Sequence, residues 1–314
     1  MHPALVGLGA LAAVGAGGLA YAHVETKLFT LREVTVPVLP PGHADLRVLH
    51  FSDLHLTPSQ ERKIEWVRSL AALRPDFVVD TGDNMAHLDS LEPLLYALEP
   101  LLSSAPGAFV MGSNDYYAPS PKNPARYLLP DARIFHKIDP PKLPAAELAA
   151  AMSSAGWIDL TNRRDAVDVG GLHIDLVGVD DPHLDRDVFP AAPERAVRGA
   201  GTDAAPSGLR MGVVHAPYVR VLDQMHDDGA DVILAGHTHG GQLCVPFYGA
   251  LVTNCDLDRG RAKGLHGWPG ARPDAPGGED STWLNVSAGA GTSPYAPFRF
   301  ACRPEATIVT LTAR

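Results

Sequence analysis

Leu46-Arg47-Val48-Leu49-His50-Phe51-Ser52-Asp53-Leu54-His55 is a short apolar run that stops on a carboxylate and an imidazole. Residues Leu46–Phe51 have the β-branched and aromatic content of a buried strand. Asp76-Phe77-Val78-Val79-Asp80 repeats the arrangement and runs into Thr81-Gly82-Asp83-Asn84, and Ala108–Met111 runs into Gly112-Ser113-Asn114-Asp115. Between the first two, Ile64, Val67, Leu70 and Ala71 recur at helical spacing behind Ser59, a residue able to cap a helix. Leu88–Leu102 is a second helical stretch. Strand–helix–strand repetition predicts βαβ crossovers on a sheet with parallel strands.

Further along, His173–Val179, Leu209–Val214, Asp231–Ala235, Trp283–Val286 and Thr307–Leu311 read as strands. That count suits an α/β fold of two sheets sandwiched by helices. Residues 116–145 interrupt the rhythm with seven prolines and read as an ordered insertion or lid. Gly/Ala/Pro-rich stretches at 190–208 and 267–278 read as surface loops.

Upstream of the first strand, residues 23–42 read as a linker, stiffened by the run Val36-Pro37-Val38-Leu39-Pro40-Pro41-Gly42. Pro3 to Ala22 holds no charged side chain and has about the length needed to cross a bilayer, so residues 1–22 are expected to anchor the chain in a membrane. A secretory signal competes with this reading, because Ala20-Tyr21-Ala22 resembles a small-x-small cleavage site. Lys27 and Arg32 follow the segment and no Lys or Arg precedes it, so sidedness stays open. Residues 43–314 then form the main domain.

The 314 residues carry 26 Lys+Arg against 36 Asp+Glu, a net charge of −10, with no basic cluster of the kind a nucleic-acid binder shows. Three cysteines, none in a CxxC pair, give no disulfide framework; three buried thiols or a single Cys244–Cys255 bridge are the readings they allow. No Gly precedes any of the six lysines, which excludes a P-loop. Gly7–Ala12 and Gly15–Ala20 fit the loose GxGxx(G/A) pattern, but neither follows a strand.

The informative pattern is where polar residues fall. Five strands end in Asp53/His55, Asp83, Ser113-Asn114-Asp115, His215 and Gly236-His237-Thr238-His239. In α/β sheets ligands bind at the carboxyl ends of the strands. Imidazole suits Zn, Fe or Mn, and carboxylate suits Mg or Mn, so the residue types point to a clustered metal site. Spacing alone is weak evidence: about one DxH is expected by chance and two are present, the second, Asp181-Pro182-His183, showing that the pattern alone proves nothing. His87, His136, His173 and His226 are left without a role.

These motifs, in this order from Leu46 to the C-terminus, resemble the calcineurin-like metallophosphoesterase superfamily, whose signature is DxH, GDxx, GNH(D/E), a lone His and GHxH. The run Gly236-His237-Thr238-His239-Gly240-Gly241-Gln242 is similar to its bacterial membrane-anchored, phosphodiesterase-like branch. The resemblance implies a four-layer α/β/β/α fold with two mixed sheets, and two divalent ions (Mn, Fe, Zn or similar) about 4 Å apart. It implies that Asp83 bridges the ions, that Asp53, His55 and His239 complete the first position, and that His215 and His237 belong to the second. A hydroxide between the ions would attack phosphorus. The substrate it implies is a phosphoester or phosphoanhydride, with a lipid-linked or envelope-derived molecule favoured by the expected anchor.

The chain departs from that signature at Gly112-Ser113-Asn114-Asp115, where the family has Gly-Asn-His-(Asp/Glu). In direct register Ser113 replaces a ligand of the second ion, and Asn114 replaces the His that assists the leaving group. If the loop slips by one residue, Asn114 ligates instead; a neutral hydroxyl is the poorer ligand of the two. An amide donates no acidic proton, so substrates with good leaving groups are expected. Tyr116 or Tyr117 offers another proton donor, with lid packing as the plainer role for both. A metal-binding scaffold with weakened catalysis is the alternative function.

Overall fold

The computed structural model describes residues 3–121, 140–191 and 208–314. Its strands are apolar on both faces because both faces are covered. Strand β2 (Leu46–Phe51) turns Val48 toward one core and Leu49 and Phe51 toward another, and β3 (Phe77–Asp80) splits Phe77 and Val79 from Val78 in the same way. This is the period-two alternation of a strand with neighbours on either side.

Two six-stranded mixed sheets result. The first runs β1 (Thr30–Leu39), β14 (Glu305–Ala313), β2, β3, β4 (Gly107–Phe109), β5 (Ile158–Asp159). The second runs β12 (Gly264–Trp268), β13 (Thr282–Val286), β9 (Val232–Ala235), β8 (Gly208–Val214), β7 (Leu172–Gly178), β6 (Arg163–Val169). A small hairpin, β10 (Cys244–Val245) and β11 (Gly249–Ala250), stands apart. Val48, Val79 and Val110 of the first sheet meet Met211, Val213 and Leu234 of the second in the central core. Helices α2 (Glu61–Ser69), α3 (Leu91–Ser104) and α4 (Ala145–Ser154) cover the outer face of the first sheet. Helix α5 (Val219–Asp227) covers the second. The expected α/β/β/α layering is present.

Two expectations are corrected. Residues 30–39 are not linker: they form β1, which pairs in parallel with β14, with Val36 and Leu39 fully buried. Pro37 is tolerated there because β1 is an edge strand, needing ladder hydrogen bonds on one side only. The helix after β2 starts at Glu61 behind Gln60, with no side-chain cap from Ser59; instead the Thr57 amide donates to Gln60 Oε1 at 3.1 Å. The N-terminal segment forms α1 (Pro3–Glu25); among the described residues no helix is long and apolar enough to cross a membrane.

The end of α1 is tied to the body. Ala22 is buried and its carbonyl accepts from the Arg299 amide, while the Glu25 carboxylate accepts from the Ala301 and Cys302 amides. Cys244, Cys255 and Cys302 are all buried thiols with no disulfide between them, the thiol reading rather than the bridge. Most of the proline-rich insertion (122–139) and of the stretch at 190–208 (192–207) lies outside the described residues, as does His136.

Candidate metal centre

The five strand ends named above converge. Asp53, His55 and His239 bring ligand atoms within 4.8 Å of one another, and so do Asp53, Asp83 and His215. Asp53 Oδ1 lies 3.4 Å from His239 Nε2 and 4.0 Å from His55 Nε2, and the two imidazole nitrogens are 3.1 Å apart. Asp83 divides its oxygens: Oδ2 stands 3.4 Å from His55 Nε2, and Oδ1 stands 3.5 Å from His215 Nε2. His237 Nδ1 is 3.3 Å from His215 Nε2. An ion held at 2.0–2.1 Å by tetrahedral donors separates them by about 3.3 Å. The spacings fit such ions, and Asp53 Oδ1, buried without a hydrogen-bond partner, is an acceptor that a cation would satisfy.

The backbone is shaped for this convergence. Asp53, His55, Asp83, His237 and His239 all have positive φ, between 40° and 68°. Non-glycine residues rarely adopt that region, and such strain gathers at functional sites. The turns are held by cross-bonds: Asp53 N to Gly82 O at 2.8 Å, His55 N to Asp83 O at 2.9 Å, and Gly236 N to His215 O at 2.8 Å. Glycine serves close approach here. A Cβ at Gly112 would meet Asp83 Oδ1 at 2.3 Å, and one at Gly236 would meet Ser52 Oγ at 1.9 Å. Asp115 ties two loops together, accepting from the amides of Asp83, Asn84 and Gly112 at 2.8–2.9 Å.

Partners behind the ligands orient them. His215 Nδ1 donates to Thr81 O at 2.7 Å, and His237 Nε2 donates to Asn254 O at 3.1 Å, leaving Nε2 and Nδ1 respectively as lone pairs facing the cluster. Burial holds His55 and His239 well below the ordinary histidine value, reinforced by Lys63 and Arg299 at His55 and by His55 and Arg299 at His239. Both are neutral at pH 7, as ligation requires.

Burial pushes Asp83 up to about 8 and, with Asp115, Asp80 up to about 8. His215 rises to about 9, because Asp83, Asp181 and Asp53 outweigh its burial. These groups bind more protons folded than unfolded, so the metal-free protein is expected to lose stability as pH rises from about 6.5 to about 8. Lys63, brought down to about 7 by burial, and Cys302, brought down to about 6 by its hydrogen bond with Cys244, oppose them as the smaller set. Melting temperatures in chelator at pH 6.5 and 8 check this; a higher value at pH 8 would contradict it. Divalent ions replace those protons, so loading should flatten the profile.

The loop at 112–115 delivers no side-chain nitrogen or charged oxygen. Ser113 Oγ lies 3.5 Å from Asp83 Oδ1; Asn114 donates its backbone amide to the same oxygen at 2.6 Å and turns its side chain onto Ser113 Oγ at 3.4 Å. Tyr116 donates its hydroxyl to Asp180 at 2.8 Å, lies under Arg186, and is shifted upward by burial, which suits packing and not proton donation. His87 and His173 sit on the surface beside Asp89 and Asp168, and His226 bonds Thr282.

Two features went unread in the sequence. Arg299, fully buried, reaches His239 Nδ1 at 3.3 Å and several carbonyls. Asp181-Pro182-His183 lies at the site: Asp181 acts on His215 and Asp83, and the His183 ring is 4.5 Å from that of His237.

Comparison with known proteins agrees with this geometry. The chain is 28% identical over 304 residues to an uncharacterized metallophosphoesterase of Aquifex aeolicus (strain VF5), covering 93% of this chain and 95% of that one. It is 25% identical over 301 residues to phosphodiesterase YaeI of Escherichia coli (strain K12), covering 94% and 93%. A bovine (Bos taurus) transmembrane protein with metallophosphoesterase domain is 29% identical over 220 residues, covering 68% of this chain and 45% of that protein. The family model for calcineurin-like phosphoesterase matches residues 46–241, from the first strand of the site through its last histidine. The chain belongs to the calcineurin-like phosphoesterase family and is a metal-dependent phosphoester hydrolase.

Proposed function

We propose that the protein hydrolyses phosphodiester or phosphoanhydride bonds with two divalent ions. The observation that carries this reading is the division of Asp83: one oxygen faces His55 and the other faces His215, so a single carboxylate serves both groups of ligands. Asp53, His55 and His239 would hold the first ion with Asp83 Oδ2, and His215 and His237 the second with Asp83 Oδ1. When bound, such a pair neutralises charge on the phosphoryl oxygens and activates water near neutral pH.

This chain's own residues hold the ligands, fix their tautomers and keep His55 and His239 neutral. None of the side chains at 113–114 is an acid, which favours substrates whose leaving group departs without a proton. A groove of about 460 Å³ opens next to the 112–115 loop, lined by Met111, Tyr116, Tyr117, Lys142 and Arg186. Its cations are balanced by Glu147 and Asp159 in the same lining, and its size suits one arm of a phosphodiester better than a bare phosphate.

The test uses the full chain, since a fragment starting at residue 43 would strip β1 from β14. Purified without chelator, the protein is expected to carry close to two ions and to turn over bis(p-nitrophenyl) phosphate with added Mn²⁺. One ion or none, with no turnover under any divalent metal, would replace this reading with that of a metal-binding scaffold.

A further inference from the structure

The second group of ligands is short of charge. Around His215 Nε2 stand His237 Nδ1 at 3.3 Å and Asp83 Oδ1 at 3.5 Å, and Asp83 is shared with the first group. The adjoining loop adds one neutral hydroxyl, Ser113 Oγ, with the Asn114 amide folded onto it. Two imidazoles and half a carboxylate are a sparse set for a borderline or hard divalent ion, which favours charged oxygen.

A third carboxylate is built into the same sheet edge. Gly178 of β7 pairs with Val213 of β8, so Asp181 and His215 follow neighbouring parallel strands and emerge side by side. Asp181 is fully buried. Its Oδ1 accepts from the His183 amide at 2.9 Å, which caps the short helical turn Pro182–Leu184. Its Oδ2 is buried with no hydrogen-bond partner among the described residues, although an unpaired carboxylate oxygen is costly to bury. The cap explains one oxygen only. The other is explained by a cation at the second group, where the negative charge of Asp181 already acts on His215 and Asp83.

We propose that Asp181 is a ligand of the second divalent ion, supplying the charged oxygen that Ser113 and Asn114 do not. This rests on the two-ion reading above. His183 then works behind the ligands: its ring packs on that of His237 at 4.5 Å, and its Nδ1 meets the Tyr218 hydroxyl at 3.0 Å. Asp181-Pro182-His183 thus acts at the second position from one strand end as Asp53-Leu54-His55 acts at the first from another.

The test is Asp181→Asn in the full chain, read by elemental analysis and by calorimetric titration with Mn²⁺. Wild type is expected to hold two ions. The variant is expected to keep the first ion and to bind the second about tenfold more weakly or worse. Its metal-free melting temperature should equal or exceed that of wild type, since the amide can still cap the turn and a buried charge is gone. Asp181→Ser, which keeps an oxygen to cap the turn but removes the charge, is a second variant should the first fail to fold. Unchanged affinity for the second ion in either folded variant overturns the proposal. A metal-free melting temperature lowered by Asp181→Asn with both ions retained also overturns it, in favour of a purely structural cap. A wild-type protein that holds fewer than two ions removes the two-ion reading and Asp181's role together, before any variant is compared.

Discussion

Asp83→Asn is expected to lower kcat/KM on bis(p-nitrophenyl) phosphate by about 10³-fold or more, which corresponds to roughly 4 kcal/mol of barrier. It is also expected to empty both ion positions at once. The two effects share a cause: Oδ2 stands 3.4 Å from the first group's His55 and Oδ1 stands 3.5 Å from the second group's His215. Asparagine keeps the shape but removes the charge and turns one ligand oxygen into an N–H donor. The bond from the Asn114 amide survives, because an amide oxygen accepts as well as a carboxylate oxygen does. Burial already pushes this carboxyl upward, so neutralising it should not lower the metal-free melting temperature. Elemental analysis, steady-state kinetics and a melt in chelator separate lost metal from lost fold. A well-folded Asp83→Asn protein with unchanged turnover would end the two-ion mechanism.

The ligands were legible because their chemistry is written locally. Each follows an apolar run short enough to be a strand, and a strand end in an α/β sheet is where a ligand is presented. What lay beyond reach depended on contacts distant in sequence. Residues 30–39 form a strand only because β14, at the far end of the chain, lies beside them; Pro37 and the prolines after it argued for a linker. Asp181-Pro182-His183 has the same spelling as Asp53-Leu54-His55. Only the pairing of β7 with β8 separates a chance match from a residue facing His215. The roles of the glycines were half legible: Gly82 does take a positive φ of 85°, whereas Gly112 and Gly236 are small because a ligand carboxylate and the Ser52 hydroxyl come too close for a Cβ.

Arg299 carried no motif, and the second large effect is expected there. The guanidinium is fully buried and donates to the carbonyls of Ala288 at 2.7 Å, Gly289 at 3.1 Å, Gly291 at 2.7 Å and Cys302 at 3.2 Å. Residues 288–291 press on the first ligand loop: the Ala290 amide donates to Ser52 O at 3.0 Å, and a Cβ on Gly289 would lie 2.6 Å from that of Asp53. His239 Nδ1 donates to Gly291 O at 3.2 Å, one of the carbonyls the guanidinium holds, so one side chain braces the wall behind Asp53 and, through Gly291, the ring of His239. Arg299→Gln leaves at least two of these carbonyls buried and unpaired, at about 1–3 kcal/mol each. A fall in melting temperature on the order of 10 °C follows for a domain of this size. Affinity for the first ion should fall as well, because His239 loses its brace. Arg299→Lys distinguishes fork from charge. An ammonium keeps the cation but cannot span four carbonyls in a plane, so it should recover little of the loss. A lysine variant with wild-type melting temperature and metal content would show that position 299 supplies only charge, and that the loop at 288–291 holds its place without the clamp.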